Sequence, residues 1–88
     1  MPITFRFKSN AHEQFLGLPR DIQRRILEKL SWWEMTLEPL DFARRLNGDK
    51  FGEYRFRIGD YRLLCDAEKN GNIVVLKIGN RKDIYRGK

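Results

Sequence analysis

The segment YRFRIGDYRLLC, residues 54–65, places Arg55, Arg57 and Arg62 within a few positions of one another. Arginine carries a rigid fork of N–H donors that grips a phosphate through two bonds at once, and it stays charged at any physiological pH. A second basic group follows in GNRKDIYRGK, where Arg81, Lys82 and Arg86 surround Tyr85. A tyrosine among cations can stack on an unpaired base or move a proton, since positive neighbours favour phenolate. Together these residue types suit a phosphodiester, RNA in particular. The plainer alternatives are that Asp60, Glu53 or solvent neutralises the arginines, and that Tyr85 is an aromatic lid on the core.

The elements that must hold these residues can be read from periodicity. ITFRF, residues 3–7, alternates apolar and polar side chains and predicts a short strand. Ser9 is a plausible N-cap for a helix over NAHEQFLGL, weakened at Gly17. Pro19 fits the first turn of a second helix, in which Ile22, Ile26, Leu27, Leu30 and Trp33 recur at helical spacing. That helix should stop near Met35 or Thr36, ahead of Pro39. PLDFARRLNGDKFGE reads as a turn of helix or an irregular segment closed by Asn47-Gly48. Strands are expected at 53–58, 61–66 and 72–79, the first two joined by a Gly59-Asp60 turn of type II′. IVVLKI is nearly continuous aliphatic sequence and should be the most buried strand.

The predicted order is β-α-α-β-β-β, an α+β fold in one domain over residues 1–88, with a two-helix hairpin on a mostly antiparallel sheet. Ile22, Ile26, Leu30, Phe56, Leu63, Val75 and Leu76 should be largely buried. With a two-residue turn, Arg57 falls opposite Arg62 and Arg55 opposite Leu64. Tyr54, Phe56, Ile58, Tyr61, Leu63 and Cys65 then point towards the helices, and Arg55, Arg57, Arg62 and Leu64 point away. Like charges directly opposed repel, so the arrangement calls for an anion or a local carboxylate.

Charge is distributed unevenly. The net charge is +6, yet residues 1–43 hold six basic and six acidic side chains while residues 44–88 hold twelve and six. A neutral half beside a basic half points to a polyanion. The single cysteine, Cys65, permits no internal disulfide, and a reducing, cytoplasmic setting is expected. No signal peptide is evident, and no uncharged apolar run approaches the ~18 residues of a membrane span. Metal catalysis is not expected, because no His/Cys cluster or acidic pair has ligand spacing, and no cofactor loop is present. Cys65 alternates with core residues and reads as a small buried apolar side chain. Of Trp32 and Trp33, one should pack in the core and the other could face a partner protein.

The phrases RLNG, YRFRIGDYRLLC and VLKIGNRKDIY, in that order, resemble the RelE/ParE superfamily of toxins from type II toxin–antitoxin pairs, and the resemblance spans almost the whole chain. It implies the fold described above. RelE-like members are ribosome-dependent mRNA endonucleases, whereas ParE-like members inhibit DNA gyrase without nuclease activity. The resemblance favours the first branch and maps its cleavage residues onto Arg55, Arg57, Arg62, Arg81 and Tyr85. Three departures are visible. The middle-strand basic residues are arginines where lysine is frequent. Arg44-Arg45 stands where some cleaving members carry a carboxylate, and Asn80 stands where many have histidine.

On this reading Arg62 and Arg81 hold the scissile phosphate and Tyr85 transfers a proton. Arg55 and Arg57, with Lys82 and Arg86, bind neighbouring phosphates. The implied partners are an acidic antitoxin, the ribosome and mRNA.

Overall fold

The computed structural model describes residues 3–46 and 52–84. Strand β1 (Phe5–Phe7) leads into α1 (Ser9–Leu16) and α2 (Arg20–Glu34). A short 3₁₀ helix (Pro39–Phe42) and β2 (Ala43–Arg45) follow, then β3 (Tyr54–Ile58), β4 (Tyr61–Ala67) and β5 (Ile73–Asn80). The five strands form one sheet in the order β1-β5-β4-β3-β2. Among the described strands, only the β1–β5 pair is parallel.

The α+β class, the two helices and the mostly antiparallel sheet are as expected. One strand was missed: β2, in the stretch read as a turn of helix or an irregular segment, where the turn of helix is the 3₁₀ helix. β2 is three residues long and owes its conformation to pairing with β3 rather than to its own pattern. The N-cap of α1 is Lys8 rather than Ser9, and it makes no side-chain cap bond. The cap falls one residue earlier than the pattern showed: Lys8 N–H still donates to Val75 O at 3.0 Å, while Lys8 O already accepts from His12 N–H at 2.8 Å.

Both helices cover the same sheet face. Ala11 and Phe15 of α1 and Ile26, Leu30 and Trp33 of α2 share one core with Phe56, Ile58, Leu63, Cys65, Ile73, Val75 and Ile78. Trp33 lies 4.6 Å from Phe56 between ring centroids, and Phe5 meets Phe56 edge-on at 5.3 Å. Gln23 Nε2 donates to Leu16 O and Leu18 O, so α2 satisfies carbonyls that the end of α1 would leave open. Glu34 Oε2 accepts from Phe5 N–H at 2.7 Å and ties α2 to the edge strand β1.

Two expected core residues, Ile22 and Leu76, are only half-buried. Ile22 sits in the first turn of α2, at the margin of the shared core. Leu76 is displaced by a β-bulge: Leu64 pairs with Lys77 but Cys65 pairs with Val75, leaving Leu76 as the extra residue. Trp33 is core and Trp32 is half-exposed, so the two tryptophans divide as expected.

Candidate functional site

Gly59 starts the β3–β4 turn at φ +58°, and no described non-glycine residue has positive φ, which is the type II′ pattern. The turn fixes the register. Ile58 faces Tyr61, Arg57 faces Arg62, Phe56 faces Leu63, Arg55 faces Leu64 and Tyr54 faces Cys65. The neighbouring strands extend these pairs into rows across the sheet. Arg62 also pairs with Gly79, Leu64 with Lys77, and Arg55 with Arg44. The face turned away from the helices therefore carries one row of Gly79, Arg62 and Arg57, and a second of Lys77, Leu64, Arg55 and Arg44. At about 4.8 Å between strands, the second row is roughly 14 Å long.

Arg81 joins this face from the end of β5. Its backbone N–H donates to Asp60 O at 2.7 Å, and its Nε lies 3.9 Å from Asp60 Oδ1. Both side chains are largely exposed, so the ion pair itself contributes little stability. The turn that follows is held by Asn80. Its carbonyl accepts from Asp83 and Ile84 N–H, both at 2.9 Å, and its Oδ1 accepts from Lys82 N–H at 2.9 Å. Ile84 is buried against Gly79, where an added Cβ would stand 3.2 Å from Ile84 Cδ1. The bare backbone at Gly79 lets the segment after β5 close down beside Arg62.

Arg62 is held against the backbone of the turn. Its Nη1 donates to Gly59 O at 2.9 Å and to Tyr61 O at 3.0 Å, folding the guanidinium back over the turn. Its pKa is lowered, first by desolvation and then by Arg57, Arg55 and Arg81, with Asp60 opposing. It remains a cation at neutral pH. The arginine neighbours act in the same direction as desolvation, and an anion on this face would offset their part of the shift.

The structure thus gathers Arg55, Arg57, Arg62 and Arg81, with Lys82 exposed in the adjoining turn. Tyr85 and Arg86 lie outside the described residues. Arg44 and Lys77 belong to the same face and were missed. Arg44 could not be placed without β2, and Lys77 falls on this face only because of the bulge at Leu64/Cys65. Asp60 joins as the carboxylate beside Arg81. His12 sits on α1, across the sheet from the arginines, with its ring 6.3 Å from Phe7. Cys65 is buried, and desolvation, then Asp66, raises its thiol pKa, so it is no nucleophile in this state. Among the described residues, no three His, Cys, Asp or Glu side chains gather in a way that could hold a metal ion, and no helix is long and apolar enough to cross a membrane.

Comparison with known proteins agrees with this architecture. A family model described as the ParE toxin of type II toxin–antitoxin systems matches residues 5–85. A RelBE toxin–antitoxin complex of Mycobacterium tuberculosis contains a chain with 28% identity and a TM-score of 0.76, over 92% of this chain and 100% of that one. The archaeal RelE–RelB complex of Pyrococcus horikoshii gives 28% identity and a TM-score of 0.72, over 94% and 99%. The intact RelBE complex of E. coli shares the fold, at 18% identity and a TM-score of 0.65 over 89% and 95%. No curated protein sequence matches the chain.

Proposed function

The chain belongs to the ParE toxin family of type II toxin–antitoxin systems, and we propose that within it this toxin is a metal-independent, ribosome-dependent mRNA endonuclease. The observation that carries the reading is the meeting of Arg57, Arg62 and Arg81 around one hairpin turn, with the Arg62 guanidinium already oriented. The identity shared with two RelE-type chains supports the same branch.

The reaction makes three demands. A base takes the proton of a ribose 2′-OH, and the oxygen attacks the adjacent phosphorus. Negative charge then grows on the phosphoryl oxygens. Finally the P–O5′ bond breaks, and the departing oxygen gains a proton, leaving a cyclic phosphodiester and a 5′-OH. Arg62 and Arg81 meet the second demand, and Arg55 and Arg57 bind neighbouring phosphates or share the same role. Lys82 and Arg86 would guide the strand. Arginine cannot serve as the base, so Tyr85, whose phenol a dense positive field would acidify, is assigned the proton transfer. Such a base is weak on its own. Positioning of the mRNA by the ribosome would supply the missing part of the barrier reduction.

An acidic antitoxin would neutralise the same face, in keeping with neighbours that are toxin–antitoxin complexes. Its charge would speed association, and an on-rate insensitive to salt would count against electrostatic docking. A second reading, gyrase inhibition without cleavage, is favoured by the ParE family model itself. Two assays on the purified chain separate them: cleavage of ribosome-bound mRNA, and supercoiling by gyrase. Cleavage without an effect on gyrase is expected, and the reverse result would replace the first reading with the second. Tyr85→Phe should lose cleavage while keeping ribosome binding, and cleavage at the parent rate would remove Tyr85 from proton transfer.

A further inference from the structure

We propose that the groove where β2 leaves the sheet seats one nucleotide of the RNA, with Phe42 against the base and Arg44, Arg55 and Arg57 on the phosphate. The proposal rests on reading the arginine face as an RNA surface and extends it to the sheet edge.

β2 pairs with β3 only from Ala43 to Arg45. Continued by one residue, the register would set Phe42 opposite Arg57. Instead the chain turns into the 3₁₀ helix, and its backbone withdraws from β3. The gap is a groove of about 390 Å³ lined by Asp41, Phe42, Ala43, Arg44, Arg55 and Arg57. That volume lies near the lower end of the roughly 300–1,000 Å³ usual for small-ligand sites. Arg55 and Arg57 belong both to this groove and to the rows that contain Arg62, so a strand laid along the arginines passes directly over it.

The two walls differ in chemistry. Arg55 and Arg57 line the β3 side. On the other, Phe42 is 45% exposed although it is wedged against Trp32 at 5.1 Å and Trp33 at 6.4 Å between ring centroids. A rigid ring with an open surface suits stacking on a splayed base. Asp41 adds a carboxylate at the same groove. It would repel a phosphate placed on it, but it accepts hydrogen bonds from an exocyclic amino group such as adenine N6 or cytosine N4, and uracil has none. The occupant is therefore a nucleotide with an amino-bearing base. An acidic peptide would satisfy the guanidiniums but gain nothing from a carboxylate beside them.

The test measures binding of fluorescently labelled hexa-adenylate and hexa-uridylate to the full chain by anisotropy at one fixed salt concentration. Phe42→Leu keeps apolar bulk under Trp32 and removes the π-face, and Asp41→Ala removes the acceptor at an exposed position. Phe42→Leu should weaken both oligonucleotides by roughly 5- to 100-fold. Asp41→Ala should cut the preference for adenylate over uridylate by roughly tenfold. Parent-like affinity in Phe42→Leu, or an unchanged preference in Asp41→Ala, overturns the proposal. Arg62→Ala marks where a failure lies. If it weakens binding and the groove variants do not, the arginine face stands and the groove is wrong. If it too binds both oligonucleotides like the parent, the RNA reading falls with the groove.

Discussion

The two faces of the sheet obey opposite rules. On the helix side, Phe56, Leu63, Cys65, Ile73 and Val75 are fully buried, and every aromatic neighbour adds contact. On the other side, the same strands turn arginines towards one another, including the directly opposed Arg57 and Arg62. The helix-side face lowers the free energy of folding throughout, whereas on the other face buried Leu64 and Ile84 lie beside arginines whose mutual repulsion raises it slightly. Because side chains alternate at every residue, both faces are written in the same twelve positions, 54–65, and a mutation can damage one without touching the other.

This contrast can be broken first from the core. Trp33→Ala removes the ring that packs on Phe56 and Phe42 and should cost about 3–5 kcal/mol by chemical denaturation. A loss below 1 kcal/mol would show that the helix-side face is not what holds the fold. At the hinge between the faces, Gly59→Val forces a β-branched residue to φ +58° beside the Arg25 guanidinium. A loss of about 1–2 kcal/mol is expected, read from the denaturation midpoint. The steric part should be minor, because the nearest atoms are the end of a flexible side chain. On the other face the sign reverses: Arg57→Gln relieves a direct repulsion and should stabilise by a few tenths of a kcal/mol, with the gain shrinking as salt rises. Destabilisation would mean that Arg57 is a structural residue. Cys65 gives a kinetic check on the same contrast. Burial raises its thiol pKa, so it should resist thiol reagents at neutral pH until the protein unfolds. Rapid labelling of the folded chain would contradict the packing of β4.

Much of this was legible in the sequence because alternation is a strong signal where one face is buried. Gly59-Asp60 and the flanking alternation predicted the pairing of Arg57 with Arg62 and of Arg55 with Leu64. What escaped depends on neighbours rather than on local pattern. β2 has three residues and exists as a strand because β3 pairs with it, so Arg44 could not be assigned a face. The bulge at Leu64/Cys65 removed Leu76 from the core and set Lys77 among the arginines, and no residue type announces it. The groove at Asp41 and Phe42 arises from a strand ending, which periodicity cannot mark.

Arg62 carries the central claim, that this face is built for a phosphodiester and not for the fold. The most direct measurement pairs single-turnover cleavage of ribosome-bound mRNA with denaturation for Arg62→Ala. Loss of one donor to transition-state charge should slow cleavage by roughly 10²–10³, or about 2.7–4 kcal/mol, while the unfolding free energy falls by no more than about 1 kcal/mol, because relief of repulsion from Arg57, Arg55 and Arg81 offsets the two hydrogen bonds lost to solvent-accessible turn carbonyls. Cleavage at the parent rate, or a slower rate explained by a destabilised fold, would contradict it.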